Sequence, residues 1–134
     1  MSVSTITPRR SKYCDAIGIA MRQLGHATNA EILELLSKNY PGISATTVHR
    51  ATARMALRGE LAMAPSDPTG AMRYDSNVSS HDHFMCERCG RLRDVDMPRE
   101  LVQILKTQLD GCSVDGNMTL TGRCHRCKKR SEHE

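Results

Sequence analysis

The chain has 134 residues, with 19 Lys/Arg against 15 Asp/Glu and a formal net charge of +4. That length suits one ordinary domain or two small ones, and two half-sized units would each need a metal or a partner to complete a core. The mildly basic balance is compatible with nucleic acid; no apolar run reaches the roughly 18 residues of a membrane span, and MSVSTITPRR lacks an export signal's apolar centre, so a cytoplasmic protein is expected.

Residues 9–24 carry apolar side chains at Ala16, Ile17, Ile19, Ala20 and Leu24, the stripe of an amphipathic first helix that Gly25 ends. Thr28 followed by Glu31 is a capping-box signature for a second helix through Ile32, Leu33, Leu35 and Leu36, broken at Tyr40-Pro41-Gly42. Ser44 caps a third, SATTVHRATARMALRG, which mixes short polar groups with Arg50, Arg54 and Arg58 before Gly59 stops it. Glu60–Ala64 and Ala71–Asp75 flank the turn-rich PSDPTG and read as a β-hairpin. Three helices and a hairpin make a winged helix.

Beyond the polar stretch Ser76–Ser80, His83–Met85 and Arg91–Val95 read as strands around a Cys89-Gly90 turn. Pro98 is expected as the first residue of a helix through Leu101, Val102, Ile104, Leu105 and Leu109, closed by Gly111. A last strand, Met118–Thr121, leads into Cys124 and Cys127, and the final SEHE is expected to fray. The fold class is therefore α+β: a winged-helix domain over 1–75, a hinge over 76–80 and a small domain over 81–134.

Cys86 and Cys89 form one C-x2-C knuckle and Cys124 and Cys127 a second. In a reducing compartment two such pairs, separated by a helix and a strand, staple the ends of a small domain around one structural Zn(II). A thioredoxin-like redox pair is the rival, and no βαβ context surrounds either knuckle. Cys14 and Cys112 are read as ordinary buried or free thiols, and His125 and His133 as solvated.

Asp75, His81, His83 and Asp94 offer oxygen and nitrogen donors without sulfur, a mixture suited to an exchangeable Fe(II), Mn(II) or Zn(II). An H-x-H on a strand turns both imidazoles to one face, and Asp82 between them to the other. On the third helix Ser44, Thr46, Thr47, His49 and Arg50 occupy the first two turns, the end that helix-turn-helix proteins present to base edges. Arg54 follows, and Arg73 on the wing is expected to face phosphate, with double-stranded DNA as the partner.

SATTVHR, the H-x-H-x-x-C-x-x-C-G run of His81–Gly90 and the closing C-x-x-C together resemble the ferric uptake regulator family over about residues 9–129. The resemblance implies a metal-responsive, homodimeric DNA-binding repressor with a C-terminal dimerisation domain. His49 departs from the family's usual tyrosine, which bears on operator preference. The peroxide-sensing branch would use His26, Asp75, His81, His83 and Asp94 as regulatory ligands for Fe(II) or Mn(II), with His26 and His81 oxidation-sensitive. An iron- or manganese-responsive regulator of the same architecture is the alternative. Ser80, Leu101 and Asn117 stand where other branches place ligands of a further sensory site. A metalloenzyme would need a nucleophile or a spare acid beside the His/Asp set, and the sequence offers neither, so no catalytic residue is expected.

Overall fold

The computed structural model describes residues 12–114 and 116–132. They fall into two compact units, the first running to Ala64 and taking in Met72–Val78, the second made of Pro65–Ala71 and the chain from Ser79 onward. Residues 9–11 of the expected first helix, and His133, lie outside the described residues.

In the first unit, α1 (Lys12–Leu24), α2 (Asn29–Ser37) and α3 (Ala45–Leu57) surround a core in which Ile17, Met21, Ile32 and Val48 are wholly buried. Each such side chain contributes on the order of 2 kcal/mol by leaving water. Thr28 forms the expected capping box: its hydroxyl accepts the Glu31 N–H at 3.2 Å while Glu31 Oε1 accepts the Thr28 N–H at 3.0 Å. Ser44 caps α3 by accepting the Thr47 N–H at 3.1 Å. The buried Thr52 hydroxyl lies 2.8 Å from Asn29 Oδ1, tying the middle of α3 to the start of α2.

One strand was not foreseen. β1 (His26–Thr28) pairs antiparallel with β3 (Arg73–Asp75), which also pairs with β2 (Ala62–Ala64), in the order β1-β3-β2. His26 therefore sits on a strand rather than in a loop, in register with Asp75. Gly25 makes this possible, since its φ of 76° ends α1 abruptly and its carbonyl accepts the Ser76 N–H at 3.0 Å.

The second unit has β4 (Asp82–Cys86) at the centre of a sheet ordered β5-β4-β6, with β5 (Leu92–Val95) antiparallel and β6 (Thr119–Gly122) parallel to it. Both ends of the β4/β6 pair are clamped, by Met118 N–H donating to Asp82 Oδ1 at 2.8 Å and Glu87 N–H to the Gly122 carbonyl at 2.8 Å. Asp82 thus does point away from its flanking histidines, and its role is structural. α4 (Arg99–Thr107) begins one residue later than expected, because Pro98 has the extended ψ of 141° of a capping residue rather than a helical one. It ends before Gly111, and the turns beyond it carry Asp110 and Gly111 at positive φ. A further helix, α5 (His125–Glu132), takes the second knuckle into regular structure and reaches into the segment expected to fray.

This unit buries little besides Cys86, Cys127 and His83, and none of α4 is buried. Leu101, Ile104, Leu105 and Leu109 all lie exposed there, as does Leu120 on β6.

Replacing Thr28 by Ala should cost about 1 kcal/mol by removing the cap of α2. Thermal unfolding followed by circular dichroism checks this, and an unchanged midpoint would show that the cap adds nothing.

Candidate metal centres and nucleic-acid interface

The four thiols of the two knuckles converge, their sulfurs all within 4.8 Å of one another and Cys89 Sγ 3.7 Å from Cys124 Sγ. A tetrahedral ion about 2.3 Å from each sulfur needs S···S edges of about 3.8 Å, so the cluster fits structural Zn(II). Each knuckle is shaped by its backbone. Gly90, at φ 79°, turns so that its N–H reaches the Cys86 carbonyl at 2.9 Å, and the Cys89 N–H points at Cys86 Sγ, 3.5 Å away.

These amides already favour thiolate. The N–H groups of Cys124 and Cys89 bring Cys86 from the ordinary 9.0 down to about 6. The Cys127 N–H lowers Cys124 in the same way. Cys127 goes the other way, pushed up to about 12 by burial and by the neighbouring thiols. Negative charge on neighbouring sulfurs disfavours a further thiolate there unless a cation lies among them. Of the remaining thiols, Cys14 is in the first unit's core and Cys112 is exposed. His125 is exposed at the start of α5.

Further donors of metal-binding type are the histidines and aspartates singled out in the sequence. In the first unit His26 Nε2 lies 3.4 Å from Asp75 Oδ2. Asp75 is buried, with its other oxygen accepting the Asn77 N–H at 2.9 Å, so the carboxylate is held rigidly toward His26. In the second unit His81 Nε2 and His83 Nε2 lie 3.3 Å and 3.5 Å from the same oxygen, Asp94 Oδ1. Their rings are 4.4 Å apart, confirming that the H-x-H spacing turns both to one face. His81 Nδ1 contacts the Ser79 carbonyl at 2.6 Å, which places its proton there and its lone pair on Nε2.

These separations discriminate between two readings. A charge-assisted hydrogen bond would close to about 2.7–2.9 Å. Donors about 2.1 Å from a shared ion instead stand about 3.0–3.4 Å apart. The observed gaps of 3.3, 3.4 and 3.5 Å lie nearer the second, and the imidazole-carboxylate chemistry fits Fe(II), Mn(II) or Zn(II). Ser80 and Asn117, which replace ligands in the resemblance, join each other by a 3.3 Å hydrogen bond.

On α3, Thr46, His49, Arg50 and Arg54 are exposed along one helical face, and neither arginine makes an ion pair among the described residues. Thr47 is half-buried and Ser44 is exposed, its hydroxyl occupied in capping. Arg73 departs from expectation. It is only 7% exposed, because β3 is the central strand of its sheet, so it does not offer its guanidinium to a phosphate.

A winged helix with a cation-bearing third helix, joined to two chemically distinct donor sets, has the build of a metal-responsive regulator. The family model for the ferric uptake regulator family matches residues 4–116, and the chain belongs to that family. It is 30% identical to the peroxide-responsive repressor PerR of Staphylococcus epidermidis over 92% of this chain and 81% of that protein. It is 26% identical to the peroxide operon regulator of Bacillus subtilis, over 96% and 87% respectively. Its fold is similar to that of the Helicobacter pylori ferric uptake regulator Fur, with a TM-score of 0.73 at 18% identity over 88% of this chain and 81% of the other.

Zinc uptake should strengthen with pH. Above pH 6 Cys86 is already ionised, but Cys127 must still release its proton to bind metal. Competition with a chromophoric chelator should therefore show affinity rising by at least about tenfold per pH unit. A flat profile would contradict the thiol assignment.

Proposed function

We propose that the chain is a metal-dependent transcriptional repressor which binds operator DNA as a homodimer when Fe(II) or Mn(II) fills its regulatory site, and releases it when peroxide oxidises a ligand histidine. The observation that carries this reading is the spacing of the imidazole and carboxylate donors, longer than charge-assisted hydrogen bonds and close to an ion's coordination edges. The peroxide response named for both curated relatives gives the signal. A DNA partner supports a cytoplasmic location.

In this reading His26 and Asp75 supply two donors from the DNA-reading domain, residues 1–75, and His81, His83 and Asp94 supply three from the dimerisation domain, residues 81–134. Neither group completes a coordination shell alone. An ion taking both would tie the reading domain to the pairing domain across the 76–80 hinge. Moving a closed population from 1:99 to 99:1 takes about 5.5 kcal/mol of differential affinity, within reach of two extra metal-ligand bonds. Thr46, Thr47, His49, Arg50 and Arg54, with Ser44 fixing the start of α3, would then enter the major groove. The exposed Leu101 and Leu105 of α4 and Leu109 just beyond it, with Leu120 on the outer strand β6, form the surface a second copy would cover.

Fe(II), if held by these residues, would lend the electron that activates peroxide and regain it as the ring is oxidised. Net, one peroxide oxygen would enter a ring C–H of His26 or His81 and the other would leave as water, weakening that Nε2 donor. Cys86, Cys89, Cys124 and Cys127 would hold Zn(II) throughout.

Fe(II)-loaded protein bound to its operator should dissociate on peroxide treatment in a band-shift assay, with one oxygen added to a peptide bearing His26 or His81 by mass spectrometry. Mn(II)-loaded protein should stay bound. Intact, still-bound Fe(II) protein would instead indicate a sensor of metal level. His26→Ala should keep zinc and dimer while metal-dependent DNA affinity falls at least tenfold; normal repression by this variant would remove His26 from the site.

A further inference from the structure

The link between the two units is shorter than its sequence suggests. Within residues 76–80, the first two positions are bonded into the first unit: Ser76 N–H donates to the Gly25 carbonyl at 3.0 Å and Asn77 N–H to Asp75 Oδ1 at 2.9 Å. The last two are bonded into the second unit, where the Ser79 carbonyl accepts from His81 Nδ1 at 2.6 Å and the Ser80 hydroxyl donates to Asn117 Oδ1 at 3.3 Å. Val78 between them makes no hydrogen bond among the described residues, and it is 54% exposed. The division between the units falls beside it, at the peptide joining Val78 to Ser79.

All but the Ser80 bond end on a member of the His/Asp set or directly beside one. Gly25 precedes His26, so the Ser76 bond holds the start of β1, where His26 stands in register with Asp75. Asn77 occupies one oxygen of Asp75 and leaves Oδ2 to face His26 Nε2 at 3.4 Å. Asp75 is buried, so bulk water does not make good the loss of that N–H. Ser79 holds the His81 ring from the other side of Val78. Groups that orient metal ligands from behind set affinity strongly, and removing one typically weakens binding about 10- to 100-fold.

We infer that Asn77 is a positioning residue of the regulatory site, acting through its main-chain N–H on Asp75, and that the part of the link free to turn is Val78 alone. The inference rests on the metal-dependent reading above and deepens it. The N–H that aims Asp75 belongs to the residue next to the pivot, so a change at the hinge alters ion affinity, and a bound ion in turn biases the hinge.

Titration of zinc-loaded full-length protein with Mn(II), followed by the electron paramagnetic resonance of the ion, compares Asn77→Pro, which removes the N–H, with Asn77→Ala, which keeps it. The proline variant should bind Mn(II) about 10- to 100-fold more weakly than the alanine variant at equal zinc content, and its bound Mn(II) should show a changed zero-field splitting. Equal affinities in the two variants would overturn the inference. Hydrogen exchange of the unaltered, Mn(II)-free protein, read by NMR, decides the same point if the proline variant does not fold. The Asn77 amide should exchange at least about tenfold more slowly than that of Val78, and Asp75→Ala should abolish the difference. An Asn77 amide as fast as that of Val78, or protection kept in Asp75→Ala, would also overturn it. Unaltered protein that takes up no Mn(II) would refute the regulatory site itself and this inference with it, whereas normal uptake with equal affinities in both variants refutes only the part given to Asn77.

Discussion

Convergence of electron-pair donors is the constraint on which this structure depends. Four sulfurs lie within 4.8 Å of one another, and two imidazole nitrogens face a single carboxylate oxygen at 3.3 Å and 3.5 Å. In water such groups repel or separate. The backbone holds them together through the N–H groups aimed at Cys86 and Cys124, the Ser79 carbonyl behind His81 and the Asn77 N–H behind Asp75. Each arrangement is favourable once a cation takes the centre, which is why so small a second unit can do with so little apolar core.

A single strand organises both kinds of donor in that unit. Side chains alternate along β4, so His83 goes to one face and Cys86 to the other. Its neighbours follow suit, β5 placing Asp94 opposite His83 and the parallel β6 bringing Gly122 level with Cys86, just before the second knuckle. Soft sulfur donors are thereby kept from the hard and borderline ones three residues away, and the two sets can hold different metals. The closed thiolate set suits permanent structure, and the mixed set, with Asp94 half-exposed, suits exchange.

Much of this was legible in the residues, for identifiable reasons. The capping box of Thr28 and Glu31, the Ser44 cap and the alternation around His81 and His83 are local signals, and local physics decides them. The four-cysteine cluster was legible because ligand spacing carries its own geometry. What escaped depends on partners distant in sequence. β1 is three residues long, too short for any periodicity, and exists only because β3 pairs with it. Arg73 read as a surface cation, and its burial follows from the central place of β3 between β1 and β2. His26 was visible only through family resemblance, since nothing in LGHATNAE announces that it will face Asp75 forty-nine positions on.

The proposed function requires that one exchangeable ion be held by the imidazoles of His26, His81 and His83. X-ray absorption spectroscopy of zinc-replete protein loaded with Mn(II) tests it most directly, because imidazole rings give outer-shell scattering that can be counted. The account predicts a nitrogen and oxygen shell with no sulfur and three imidazoles. A shell containing sulfur, or one with two imidazoles or fewer, would contradict it.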